Sequence, residues 1–130
     1  MPRAYTIATA ALALSTSAKW VDNILSRHRV SGVSQERQGI SRRVTVEGLL
    51  VLALAILLIR ELGLPTPKAI TLAEELARNE GRYIGELGLN LGLDLGSFRA
   101  RLLESLESAV EMAPVPKRGR PPLNKTGRLD

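Results

Sequence analysis

"TIATAALALSTSAKWVDNILSRHR" (residues 6–29) is the stretch on which the fold turns. Thr6 can cap a helix over 7–14, and the three hydroxyl residues Ser15, Thr16 and Ser17 interrupt it. Such residues compete with the helical backbone in a helix interior and favour its N-terminus, so a second helix is predicted over 18–29. Two short helices joined by three polar residues outline a helix-turn-helix. At about 100° per residue, Val21, Ile24, Leu25 and His28 gather on one side of the second helix. Thr16, Trp20, Asn23 and Arg27, spaced i, i+4, i+7, i+11, gather on another, with Ser17 and Lys19 beside them. The first side is a core face, on which His28 is structural. The second is a row of hydrogen-bonding and cationic groups of the kind that reads a DNA major groove. Trp20 lies at the border and suits core packing as well as a thymine-methyl or sugar contact. Lys19 and Asn23 would otherwise be ordinary solvated helix residues.

Downstream, "VSGVSQERQGISRRVT" (30–45) places short β-branched pieces around a polar, glycine-containing loop. It reads as a hairpin with Gln35, Arg37 and Gln38 near the tip, and with Arg42 and Arg43 on the returning arm. The adjacent arginines either decorate that arm or grip phosphate. Thr45 caps a long apolar helix, 46–62, ended by Gly63. Its central run, "LLVLALAILLI" (49–59), has eleven apolar residues closed by Glu47 and Arg60. A bilayer takes about twenty, so this is a buried helix. "LPTPKAITLAEELARN" (64–79) supplies another, with Thr66 as N-cap and Pro67 in the first turn.

Leu87, Leu89, Leu91, Leu93 and Leu95 alternate with other residues through "ELGLNLGLDLG" (86–96). That period of two predicts a half-buried strand, with Arg82–Ile84 beginning it or pairing against it. A last helix, 97–112, capped by Ser97, gathers Phe98, Leu102, Leu103, Leu106, Ala109 and Val110 on one side. Strand and helix are too little to bury themselves. They fold back on the 46–62 helix or pair with a second chain, and the acidic centre described next favours a homodimer.

Charge is segregated along the 130 residues, whose net value is +5. Residues 1–45 hold seven cations against Asp22 and Glu36. Residues 46–112 hold six against ten acids, and residues 113–130 hold five against Asp130 alone. Basic ends around an acidic middle suit a chain that meets a polyanion at both ends. Cysteine is absent and histidine occurs once, which removes disulfides and thiolate sites and argues against zinc or imidazole chemistry. No nucleophile–base pair, phosphate loop or metal spacing is present; no enzyme, cofactor or metal is expected. The opening "MPRAYTIATAALALSTSA" imitates a signal peptide, but its apolar patch is short and diluted by threonine and alanine. The expected location is the cytoplasm, with no membrane association.

Two resemblances follow. "YTIATAALALSTSAKWVDNIL" (5–25) with "GISRRVTVEGLLVLALAILLIRELGLPTPKAITL" (39–72) resembles the winged helix-turn-helix of MerR-type regulators over about residues 4–77. The resemblance implies that Lys19, Trp20 and Asn23 contact DNA and that Arg42 and Arg43 touch phosphate from the wing. This chain departs from the family in a longer wing, in lacking the aromatic pair of the recognition helix, and in having no long coiled coil after the helices. "KRGRPP" (Lys117–Pro122), within "APVPKRGRPPLNKTGRLD" (113–130), resembles an AT-hook. In that motif Arg118 and Arg120 would lie along an A·T minor groove, Gly119 allowing close approach and Pro121 stiffening the path, with Lys117 beside them.

The expected fold is therefore mainly α with a small β component. A winged helix-turn-helix (1–79) precedes a strand and dimerisation helix (80–112) and a disordered basic tail (113–130). The expected function is a dimeric, sequence-specific DNA-binding regulator acting as a repressor. Two alternatives share the pattern: an antitoxin-type protein whose tail holds a toxin partner, and a nucleoid-associated protein without sequence preference.

Overall fold

Thr6, Ser17 and Thr45 each start a helix in the computed structural model of the chain, which describes residues 3–34 and 42–112 and the backbone of 124–125 and 128–129. The Thr6 hydroxyl accepts the Thr9 N–H (3.2 Å) ahead of α1 (Ile7–Leu14). Ser17 accepts the Trp20 N–H (3.0 Å) ahead of α2 (Ala18–Arg27). Thr45 accepts the Gly48 N–H (3.2 Å) ahead of α3 (Val46–Leu62). Each cap satisfies an amide that the helix itself leaves unpaired, and is worth about 1 kcal/mol. Between α1 and α2, Ser15 turns left-handed (φ 57°), and Thr16 N–H reaches back to the Ala11 carbonyl (3.0 Å). This closing motif ends α1 and turns the chain within three residues. The second helix stops at Arg27, two residues short of the expected 29, where the His28 N–H closes onto the Ile24 carbonyl.

α3 is the axis of the core. Leu49, Leu50, Leu52 and Leu54 are fully buried, and removing each such side chain from water contributes about 2 kcal/mol. A helix apolar on nearly every side must be covered on nearly every side. α1 and α2 supply Ala10, Leu14, Val21, Ile24 and Leu25 to that core. α4 (Thr66–Arg78) packs along α3 through Ala69, Ile70, Ala73 and Leu76. It begins one residue earlier than expected: Pro65 holds the cap position and Thr66 makes no side-chain cap bond, so Pro67 falls at the second helical position.

The hairpin expected over 30–45 is present at its base. β1 (Ala4–Tyr5) pairs antiparallel with β2 (Val44–Thr45), and Val33 bridges Val44 from the other side. Ser34 and Arg43 exchange bonds: the Ser34 N–H donates to the Arg43 carbonyl and the Arg43 N–H to the Ser34 hydroxyl, both at 3.0 Å. The expected tip, with Gln35, Arg37 and Gln38, lies outside the described residues.

The continuous strand expected over 86–96 is corrected. Only β4 (Asn90–Gly92) is extended, and it pairs antiparallel with β3 (Arg82–Ile84). Glu86–Gly88 form a single 3₁₀ turn between them, with Leu87 and Gly88 both at positive φ. Leu95 already belongs to α5 (Leu95–Met112). The left-handed pair Leu87 (φ 62°) and Gly88 (φ 87°) outweighs the leucine alternation and reverses the chain where a strand would have continued. The helix is also capped differently. Asp94, in place of Ser97, faces its first turn and accepts the Ser97 N–H (3.1 Å) and hydroxyl (3.0 Å). These bonds, the backbone one first, hold the Asp94 carboxyl below its ordinary value. Leu102, Leu106 and Ala109 of α5 are buried, chiefly in contact with α1, while Leu103 and Val110 are exposed. Within one chain, then, α5 is already covered on its inner face. The tail, expected to lack regular structure, contains one short antiparallel pairing, Asn124–Lys125 with Arg128–Leu129. Among the described residues no helix is long and apolar enough to cross a membrane.

Candidate nucleic-acid interface

α2 separates its two sides as its sequence requires. Val21, Ile24 and Leu25 are buried, whereas Ser17, Lys19, Asn23 and Arg27 are exposed and Thr16 is half-buried. Trp20 is also half-buried and packs against the core, so its ring belongs partly to each side. Among the described residues, the side chains of Lys19, Asn23 and Arg27 have no hydrogen-bond or ion-pair partner. Asn23 contributes only its carbonyl, which accepts the Ser26 hydroxyl (3.0 Å). The amide and the two cations are free to meet a ligand from solvent.

The base of the 30–45 hairpin is fastened beside this helix. Arg42 reaches Asp22 on α2 (3.4 Å), with only 16% of the arginine side chain exposed. Asp22 is the one acid on α2, and a carboxylate there would repel a polyanion; the guanidinium offsets it. Arg42 thus ties the segment ahead of α3 to α2, a tie that its place beside Arg43 in the sequence did not indicate. Arg43 is exposed, anchored only through its backbone to Ser34.

Behind the wing, Gly32 (φ 85°) lies against the first turn of α3. A Cβ at Gly32 would come within 2.6 Å of the Thr45 hydroxyl and 2.9 Å of the Gly48 Cα. The Gly32 carbonyl accepts both the Thr45 N–H (2.9 Å) and its hydroxyl (2.8 Å). Ser31 adds a tie to α4, its N–H and hydroxyl both donating to Glu74 (3.0 and 3.2 Å). These ties fix where the wing leaves the body. Reading the sequence alone passed over Asp22, Gly32 and Glu74. The available signal was a pair of glycines, Gly32 and Gly48, flanking a capping threonine.

Thr16 and Ser17 therefore stand just ahead of α2, Lys19, Trp20, Asn23 and Arg27 lie on it, and Arg42 is tied to its flank through Asp22, with Arg43 next in sequence. Arg37, Gln38, Lys117, Arg118, Gly119, Arg120 and Pro121 lie outside the described residues. Among the described residues no three acidic or imidazole groups are placed to hold a metal ion. No family model matches the chain, and neither a curated protein nor a solved structure matches it.

Proposed function

We propose that the chain is a sequence-specific DNA-binding regulator of the repressor kind, with α2 as its major-groove reader. One observation carries the reading: α2 holds an amide and two cations, none with a side-chain partner among the described residues, on its solvent side while its opposite side is locked in the core. A rigid helix with such a face fits a groove about 12 Å wide. Asn23 has the donor–acceptor pair that matches an adenine edge, and Lys19 the donor that matches guanine. Arg27 and Arg43 neutralise phosphates, releasing counterions and making affinity fall with salt. The wing orients the body on the backbone, as the resemblance to MerR-type domains implies.

The tail supplies a second attachment. Arg118 and Arg120 about Gly119 suit a narrow A·T minor groove, whose negative potential is concentrated. Tethered to a domain already bound, even a weak contact there acts at high local concentration. The reading is tested by footprinting on the DNA upstream of the coding sequence, comparing the full chain with a version ending at Ala113. The full chain should protect a core site plus an A·T-rich flank, and the shortened one the core alone. Protection without preference for any sequence would reassign the chain to general DNA compaction.

A further inference from the structure

A large hollow among the described residues lies away from α2. It lies between the end of α3, the start of α4 and the β3–β4 hairpin, with a volume of about 840 Å³. Its lining is mostly apolar, with Leu62, Leu64, Leu72, Tyr83, Leu89 and Leu91, and includes the polar Lys68, Thr71, Glu75 and Glu86. Leu62 and Leu89 are more than half exposed, and Leu87, on the turn beside Glu86 of the same rim, is wholly exposed. Leu87 also holds a left-handed backbone (φ 62°), which a leucine seldom adopts. A monomer in water gains nothing from an open leucine-lined hollow with a leucine thrust out at its edge.

We infer that this surface docks a second copy of the chain, the Leu87 turn of each entering the hollow of the other about a twofold axis. The patch is complementary to itself, as a twofold interface has to be. It carries a knob in Leu87 and a hole beside it. It also carries one cation, Lys68, and one acid, Glu86, neither with a partner among the described residues. The other acid of the rim, Glu75, is already held by Arg78 (2.9 Å) and Asn79 (3.2 Å). In a twofold pair Lys68 of each copy meets Glu86 of the other, and the contact is made twice. Among the described residues the outer edges of the hairpin pair with no other strand, so no described strand competes for the approach. This surface does not rest on the DNA-binding reading, and it is tested without DNA.

Analytical ultracentrifugation of the full chain should show a dimer at about 100 µM. Leu87→Asp, and separately Lys68→Glu, should each weaken it by about tenfold or more. Combining Lys68→Glu with Glu86→Lys should restore association to within about threefold, because the pair is then reversed rather than broken. All three positions are exposed, so far-ultraviolet circular dichroism should be unchanged in every variant. A chain that stays monomeric at that concentration overturns the inference and leaves the hollow to a different protein. A dimer indifferent to Leu87→Asp, or a double reversal that fails to rescue, overturns it equally.

Discussion

α2 and the β3–β4 hairpin are the two most outward-looking parts of the chain, and they present opposite chemistry. On α2 every large apolar side chain but the half-buried Trp20 is turned inward, and what faces solvent is polar: Lys19, Asn23, Ser26 and Arg27, with Asp22 paired to Arg42. On the hairpin the solvent-facing residues include Ile84, Leu87 and Leu89. A charged, hydrogen-bonding face loses little by staying in water and gains much from a polyanion. A leucine-rich face gains only by leaving water. The two surfaces therefore differ in what they gain from water, and the two proposals assign them partners of different kinds, nucleic acid for one and protein for the other.

The comparison breaks most severely at Gly32. Its Cβ-free backbone, at positive φ, is what lets the wing base close on α3. Gly32→Ala should lower folding stability by about 3 kcal/mol or more in chemical denaturation, combining a clash with an unfavourable backbone. Leu87→Asp on the hairpin should leave the stability of the monomer near wild type. If Gly32→Ala were tolerated as easily, the wing would not be fixed by that contact.

Asn23→Ala sharpens the front half of the comparison. It should cost about 1–3 kcal/mol at one base position and relax specificity there, measured by competition among single-substitution duplexes. A loss spread evenly over all sequences would leave Asn23 with no reading role. Arg118→Ala combined with Arg120→Ala should be milder. Titration should show weaker binding to A·T-flanked sites, by about tenfold, with the core site spared.

Asp94 gives the smallest effect, at the junction of hairpin and α5. Its carboxyl is held below the ordinary 3.8 by the Ser97 bonds. A lowered value means the folded state prefers the charged form. The stabilisation is full above 3.8 and shrinks as the pH falls from there through the lowered value. Thermal melts of wild type and Asp94→Asn should differ slightly at neutral pH and converge in that acid window.

Much of this was legible because local signals agreed with one another. Thr6, Ser17 and Thr45 each stand before an apolar period and each caps the helix they announce. Gly63 (φ 67°) ends α3 where the apolar run ends. The alternating leucines of 86–96 misled because period two carries no sign of a reversal, and the left-handed pair Leu87 and Gly88 turns the chain back inside the run. Ser97 was read as the cap where Asp94 performs that role, since both are good N-terminal residues and only geometry separates them. Long-range ties such as Arg42 with Asp22, or Ser31 with Glu74, leave no mark in local pattern. They depend on where two distant segments come to lie. For the same reason the exposed and buried sides of α2 follow from spacing, while the tie of Arg42 to Asp22 does not.

Trp20 offers the most direct test, being the single tryptophan and standing on α2 between core and solvent. Its fluorescence should be followed while the full chain is titrated with duplexes enriched from a random pool, alongside anisotropy of the labelled DNA. Groove insertion of α2 predicts that both signals change together and saturate at the same concentration, and that Asn23→Ala shifts both. No binding of any duplex even in dilute salt, or a rise in anisotropy with Trp20 unmoved, would contradict it.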